Sequence, residues 1–140
     1  VDPKKRILFD PEASVDFNGN TGPFIQYAHA RIQSLLGKQQ LEVLSINVSL
    51  QLDGKEKEIL KHLMTYPEVI NQAANQFSPA LIANYLYELV RLFNSFYQNI
   101  SVLGEPNEEL KSLRLLLCKA VANNIALASS LLGISMPDRM

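Results

Sequence analysis

The sequence predicts an all-α protein that folds as an antiparallel helical bundle. Several long stretches repeat their apolar residues at the i, i+3, i+4, i+7 spacing of one helical face. Proline and polar capping residues stand where these stretches begin, and glycine stands where two of them end. Short connections marked by proline and glycine separate the stretches, as neighbouring antiparallel helices require. At 140 residues, the chain has the size of one domain that can close its own hydrophobic core.

Two regions are predicted: an extended, turning lead-in over residues 1–22 and a helical domain over residues 23–140. The lead-in is rich in Pro, Asp, Asn and Gly, and a turn cluster closes it at residues 18–22. Because the chain starts at Val1 without an initiator methionine, we expect it to be part of a longer protein.

The first predicted helix follows this turn and ends at Gly37. Thr21 or Gly22 can cap its start, and Pro23 suits its first turn because the missing N–H would be unpaired there anyway. Helical spacing defines one stripe of side chains: Phe24, Tyr27, Ala28, Arg31, Ile32 and Leu35. A phenol and a guanidinium therefore occupy places where a plain core helix would carry leucines.

The middle of the chain combines one undecided segment with two short helices. Residues 41–52 alternate apolar and polar side chains only in part, so they form either a short strand or an extended loop. Residues 55–66 return to helical spacing, and Pro67 interrupts them before a second short helix at 68–76. The apolar face of the first of these helices carries Ile59, Leu60, Leu63 and Met64.

The clearest helix begins after Ser78, which is placed as its N-cap, with Pro79 at the first position. Apolar residues then recur at helical spacing as far as residue 97. This spacing places three aromatic side chains with the core leucines: Tyr85, Phe93 and Tyr97. Two others fall partly outside the stripe: Tyr87 and Phe96.

The last long helix starts at Asn107, whose side chain can cap it, and ends at Gly133. Glu108 and Glu109 are adjacent in the first turn, where they meet the positive end of the helix dipole. This role explains them better than acid–base catalysis. The predicted core stripe of this helix is Leu110, Leu113, Leu117, Val121, Ala128 and Leu131.

Charge and hydropathy exclude several classes of protein. With 13 basic and 14 acidic residues the net charge is −1, so the chain has no blanket attraction for a polyanion. Any nucleic-acid binding must then come from a shaped local surface. No run approaches the roughly 20 apolar residues that span a bilayer, and the N-terminus lacks the apolar stretch of a signal peptide. We therefore expect a cytoplasmic protein without a membrane partner.

No catalytic, metal or cofactor site is predicted. His29 and His62 do not fall in a metal-ligand spacing with Cys118. As the only cysteine in a predicted helix, Cys118 is expected to be a small buried hydrophobe. The phosphate-loop and nucleophile-elbow motifs are both absent, and the Gly-containing turn before the first helix is better explained as a helix cap.

The remaining signal is a set of aromatic residues beside polar groups, above all Tyr27 with Arg31. Single-stranded RNA loops are bound in this way, because splayed bases stack on rings and guanidinium planes while their edges form hydrogen bonds. A structural explanation competes with this one. In it, Arg31 pairs with a carboxylate such as Glu88 across the bundle, and Tyr27 bonds to backbone.

Three blocks of the sequence, covering most of the chain, closely resemble the C-terminal, DALR-type anticodon-binding domain of arginyl-tRNA synthetases, a class I ligase family. The blocks stand in the family's order: "FNGNTGPFIQYAHARIQSLL", "YPEVINQAANQFSPALIANYLYELVRLFNSFYQN" and "LRLLLCKAVANNIALASSLLGISMPDRM". The resemblance implies a helical anticodon-binding domain.

The resemblance also implies which residues lie against the anticodon loop, where the middle cytosine is a chief identity element. The family's Gly-Pro-aromatic-x-x-Tyr-Ala-x-x-Arg pattern contributes Phe24, Tyr27 and Arg31 here. The family often has tyrosine at the first of these positions, so Phe24 keeps the ring for stacking and loses the phenolic hydroxyl. By the same resemblance, three more residues complete the site: Tyr97, Arg139 and Met140.

The implied partners are the tRNA for arginine and the catalytic domain of the same parent chain. ATP and magnesium are implied for that parent enzyme and no cofactor for this part, because the family's ATP-binding signatures do not occur here. By itself the chain is therefore expected to bind tRNA without charging it. The alternative from another class is a stand-alone helical protein–protein interaction domain, which should show a contiguous apolar groove.

Overall fold

The computed structural model describes residues 6, 8, 10–17, 19–37 and 50–140. Helices form the regular structure in these ranges: α1 (Pro11–Ser14), α2 (Gly22–Leu36), α3 (Gly54–Met64), α4 (Tyr66–Asn75), α5 (Pro79–Asn99) and α6 (Glu108–Leu131). No strand occurs among the described residues, so the predicted all-α class is confirmed. Most of the undecided segment 41–52 lies outside these ranges.

The helix starts follow the predicted capping chemistry at two of three places. The Thr21 hydroxyl accepts a hydrogen bond from the Phe24 amide at 3.3 Å, and Asn107 Oδ1 accepts one from the Leu110 amide at 3.0 Å. Ser78 occupies the predicted N-cap position of α5, but its side chain makes no capping hydrogen bond. Pro79 alone marks that start.

The predicted lead-in is not extended throughout, because residues Pro11–Ser14 form the short helix α1. Asp10 caps this helix, and its carboxylate accepts hydrogen bonds from the amides of Glu12 and Ala13. An Asp–Pro pair is a helix-start signal in its own right. The turn-forming composition around it obscured that signal.

The core surrounds α5, which packs against α2, α3, α4 and α6. Its side chains Leu89, Val90 and Phe93 are fully buried, as the helical spacing predicts. Phe96 is also fully buried, so its predicted position partly outside the stripe is wrong. The reason is that four other helices cover α5, which widens its buried face beyond a single stripe.

The predicted apolar stripes of α3 and α6 are confirmed only in part, because Leu60 of α3 is 37% exposed and the last residue of each stripe is exposed too. Ile59, Leu117 and Val121 are buried, whereas Met64 and Leu131 are exposed. The latter two are the last residues of α3 and α6. The apolar spacing continues to the last residue of each helix. The neighbouring helices do not have to extend that far, so the last apolar side chains can be left uncovered. Cys118 is buried as predicted, and burial raises the pKa of its thiol to about 12.

A buried ion-pair network that the sequence did not predict connects α3 to α6 and to the segment before α6. Arg114 Nε donates to Glu56 Oε1 at 2.7 Å, and Arg114 Nη1 donates to both Glu105 and the backbone carbonyl of Ser101. The other carboxylate oxygen of Glu56 accepts from the Asp53 amide at 2.7 Å and completes a capping box. The network therefore fixes where α6 starts relative to α3.

Candidate nucleic-acid interface

A cleft of about 850 Å³ opens where α2, the end of α5 and the C-terminal tail meet. The tail here means residues 134–140, which follow α6. Three elements distant in sequence contribute to the lining of the cleft: Tyr27, Ala30, Arg31, Gln33, Ser34, Gly37, Tyr97, Asp138, Arg139 and Met140. Five of the six residues predicted to bind an anticodon loop lie in this lining: Tyr27, Arg31, Tyr97, Arg139 and Met140.

Arg31 lies between two tyrosine rings in the cleft. Its guanidinium carbon is 4.7 Å from the ring centroid of Tyr27 and 5.6 Å from that of Tyr97. The Tyr97 ring stacks in turn on buried Phe93, with the centroids 5.8 Å apart and the planes 29° from parallel. The guanidinium and Tyr97 are thus supported from the core, which limits how far they can reorient.

The Tyr27 hydroxyl accepts a hydrogen bond from Arg31 Nη2 at 3.2 Å. This hydrogen bond, together with the positive charge of Arg31, lowers the pKa of Tyr27 below its ordinary value. Because the phenol oxygen is the acceptor, its own proton remains available to donate to a ligand. The Tyr27 side chain is 41% exposed, so a ligand in the cleft can reach both the ring and the hydroxyl.

The proposed pairing of Arg31 with Glu88 is wrong. Both carboxylate oxygens of Glu88 accept hydrogen bonds from Arg91, one turn along α5, at 2.6 and 2.9 Å. These bonds are the main reason that the pKa of Glu88 lies below its ordinary value. Arg31 instead bonds to Tyr27 on its own helix.

Phe24, the sixth predicted residue, does not line the cleft. Its half-buried ring packs on that of Tyr87 in α5, with the centroids 5.5 Å apart and the planes tilted by 46°. It also contacts the hydrophobic core. Phe24 lies one helical turn before Tyr27, at the start of α2, where its ring packs against α5 and not in the cleft.

Phe17, in the lead-in, is an aromatic neighbour of the site that the sequence did not predict. Its half-exposed ring stands edge-on to that of Tyr27, with the centroids 6.0 Å apart and the planes at 82°. The Thr21 hydroxyl that caps α2 also donates to the backbone carbonyl of Asp16 and closes the turn that carries Phe17. An apolar residue just before a capped turn was the available signal.

Gln33 and Ser34 were missed for a different reason. The predicted stripe of α2 was traced from its apolar side chains. Helical spacing was not applied to the polar residues near Arg31. Residues three or four apart lie on the same helix face, so Tyr27, Arg31 and Ser34 belong together. That rule would have found Ser34 from the sequence.

The tail reaches the cleft because the end of α6 turns sharply. Gly133 has a φ of +74°, its amide donates to the carbonyl of Ser130, and the Ile134 amide donates to that of Ser129. This pair of bonds is a Schellman motif, in which glycine takes the left-handed conformation at low cost. Met136 then packs against the core, which directs the last residues along α2.

Comparison with known proteins identifies the family of this chain. The family model described as the DALR anticodon binding domain matches residues 25–140. The chain belongs to the DALR anticodon-binding domain family. The resemblance identified in the sequence is confirmed.

Relatives of this DALR domain are arginine–tRNA ligases. That of Flavobacterium psychrophilum is 55% identical over 140 residues, which are all of this chain and 23% of that protein. That of Parabacteroides distasonis is 44% identical over 144 residues, covering all of this chain and 24% of the relative. The chain therefore spans about a quarter of the length of these relatives.

Solved structures show the same fold. Arginyl-tRNA synthetase from Thermus thermophilus matches with a TM-score of 0.89 and 34% identity, over 99% of this chain and 24% of that one. The enzyme from Plasmodium falciparum matches with a TM-score of 0.80 and 27% identity, over 94% of this chain and 23% of that one.

Neither a metal site nor a membrane-spanning helix occurs in the ranges that the structure describes. Within them, no group of three or more His, Cys, Asp or Glu side chains could hold a metal ion. None of the helices described there is long and apolar enough to cross a bilayer.

Proposed function

We propose that this DALR domain recognises the anticodon loop of the tRNA for arginine, as the anticodon-reading part of an arginine–tRNA ligase. The observation that carries the proposal is the cleft in which Tyr27, Arg31 and Tyr97 lie next to Arg139 and Met140. The family match and the named relatives support it.

The cleft offers the contacts that an unpaired base requires. Its rings and the Arg31 guanidinium present flat surfaces for stacking, and each stacked base contributes about 1–3 kcal/mol in single-stranded complexes. The O–H group of Tyr27 and the N–H groups of the Arg31 guanidinium can donate hydrogen bonds to the acceptors of a base edge. Arg139, an exposed residue of the lining, supplies positive charge for the phosphate backbone.

The lining of the cleft also favours RNA over the alternative, a stand-alone protein–protein interaction domain. A groove for a protein helix is expected to be continuously apolar. In this cleft the aromatic rings of Tyr27 and Tyr97 instead alternate with charged and amide side chains such as Arg31 and Gln33. Such alternation is typical of surfaces that read unpaired bases.

The ligase chemistry is assigned to the rest of the parent protein. In this proposal ATP and magnesium act in its catalytic domain, which is also the intramolecular partner of the present domain. The ATP-binding signatures of the family do not occur in these 140 residues. A cytoplasmic location remains a prediction.

Tyr27→Ala and Arg31→Ala are each expected to weaken binding of the tRNA for arginine about tenfold or more, because each removes a stacking plane and a donor. Both should also shrink the preference for the cognate middle anticodon base. The measurement is tRNA affinity in the intact enzyme, with the thermal midpoint recorded in parallel. Because Tyr27 is exposed and Arg31 half-buried, the midpoint should stay near that of the wild type.

Tyr87→Ala and Arg91→Ala are matched controls on α5, since neither residue lines the cleft. They remove the same side chains and should leave the tRNA preference unchanged. If the Tyr27 and Arg31 variants keep the full preference, or lose binding only by unfolding, the two residues are structural and the proposal fails.

A further inference from the structure

His29 is a buried residue to which neither the family motif nor the proposed base contacts assign a role. It lies in α2, between Tyr27 and Arg31 in sequence, yet it does not line the cleft and is only 4% exposed. Its Nδ1 is 2.9 Å from the backbone carbonyl oxygen of Pro137, in the tail, 108 residues further along the chain.

The hydrogen-bond partners of the His29 ring determine which of its two nitrogens carries the hydrogen. A carbonyl oxygen can only accept, so Nδ1 must carry the hydrogen and donate it to Pro137. The other ring nitrogen, Nε2, is 3.3 Å from Nε2 of Gln33, an amide nitrogen that donates. With the Gln33 amide oriented as in this structure, the two contacts assign the Nδ1–H tautomer, with one hydrogen bond at each nitrogen.

Among the described residues, two hydrogen bonds join α2 side chains to the tail, and the bond from His29 is the one nearer to the C-terminus. Gln26 reaches the Ser135 carbonyl at 3.4 Å, a long contact exposed to solvent. The three residues after Pro137 are exposed and line the cleft. A part-buried bond immediately before them limits how far they can move from α2.

We propose that His29 is a positioning residue, which holds the tail against α2 so that residues 138–140 form one wall of the cleft. The same helix thus presents Tyr27 and Arg31 on one face and anchors the tail on another. The effect on RNA rests on the proposed anticodon-binding function, whereas the effect on the tail does not.

Two substitutions at this position separate the role of Nδ1 from that of the ring. In His29→Asn the amide nitrogen can take the place of Nδ1 and donate to the Pro137 carbonyl. In His29→Gln the amide nitrogen falls where Nε2 was, so this bond is lost. The two variants are otherwise matched, since both replace the imidazole by a neutral amide.

The experiment uses the full-length protein with ¹³C-methyl methionine, and records the Met140 methyl signal and the tRNA affinity. His29→Gln should move the Met140 signal towards that of an unconstrained methionine. The same variant should weaken tRNA binding about 3- to 10-fold, as expected for the loss of one hydrogen bond. His29→Asn should leave the signal near the wild-type position and the affinity within about twofold.

A Met140 signal that stays in place in His29→Gln would overturn the positioning role. If that signal moves while tRNA affinity is unchanged, the positioning role stands and the proposed part of the tail in RNA binding fails. If the two variants do not fold, the ring tautomer of His29 in the wild-type protein tests the proposal instead. Its ¹⁵N ring shifts must report the Nδ1–H tautomer, and an Nε2–H tautomer would contradict the proposal.

Discussion

Replacing Arg114 by Met is expected to lower the free energy of unfolding by about 3–5 kcal/mol. The change leaves the carboxylate of Glu56, a residue that is 1% exposed, without its cationic partner. A buried charge that loses its counterion keeps the full cost of desolvation. Denaturant unfolding of the wild type and the variant measures the difference from the shift in midpoint, provided that the dependence of the free energy on denaturant concentration is the same for both.

Arg91→Met is the matched control, because it breaks the pair between Arg91 and Glu88 on the surface, where the Arg91 side chain is 61% exposed. Exposed pairs contribute about 0–1 kcal/mol, so this variant should unfold almost like the wild type. A double variant, Glu56→Leu with Arg114→Met, should recover part of the loss, since it removes the buried charge as well. If Arg114→Met were as mild as Arg91→Met, the network would not stabilise the fold.

Leu89→Ala and Leu117→Ala are each expected to lower the free energy of unfolding by about 2–5 kcal/mol. Leu89 is fully buried on α5 and Leu117 is buried on α6, so truncation leaves a cavity in each case. The same denaturant measurement applies. The spread within the range reflects how far the surrounding side chains can relax into the space.

Leu127→Ala and Leu131→Ala are controls on α6, where both side chains are more than half exposed. They should change the free energy of unfolding by less than about 0.5 kcal/mol, as is usual for surface positions. Leu131 belongs to the core stripe predicted from the sequence, so the comparison also decides between that stripe and the structure. Losses under about 1 kcal/mol for Leu89 and Leu117 would mean that the core is misassigned.

The sequence predicted best those parts of the fold that local chemistry determines. The caps at Thr21 and Asn107 and the turn at Gly133 depend on a few neighbouring residues, and each is found where it was expected. The buried pair of Glu56 and Arg114 could not be predicted in this way. Its two residues are 58 positions apart, and only the packing of α3 on α6 brings them together.

In the candidate site, too, contacts within one helix could be predicted and contacts between distant segments could not. Tyr27 and Arg31 are one turn apart on one helix, so their contact follows from helical geometry alone. Tyr97 and the tail residues were indicated by family resemblance and not by any local pattern. The hydrogen bond between His29 and Pro137 was not predicted at all, because no sequence rule relates a helix position to a carbonyl 108 residues away.

The most direct test of the anticodon-reading proposal is the affinity of the wild-type intact enzyme for four tRNAs for arginine that differ only in the middle anticodon base. We expect cytosine to bind more tightly than each of the other three bases by about 1–3 kcal/mol, which is roughly 5- to 150-fold. Thermal midpoints of the four tRNAs should be matched, so that the difference reports on the base and not on tRNA folding. Equal affinity for all four bases would contradict the proposal that this cleft reads the anticodon.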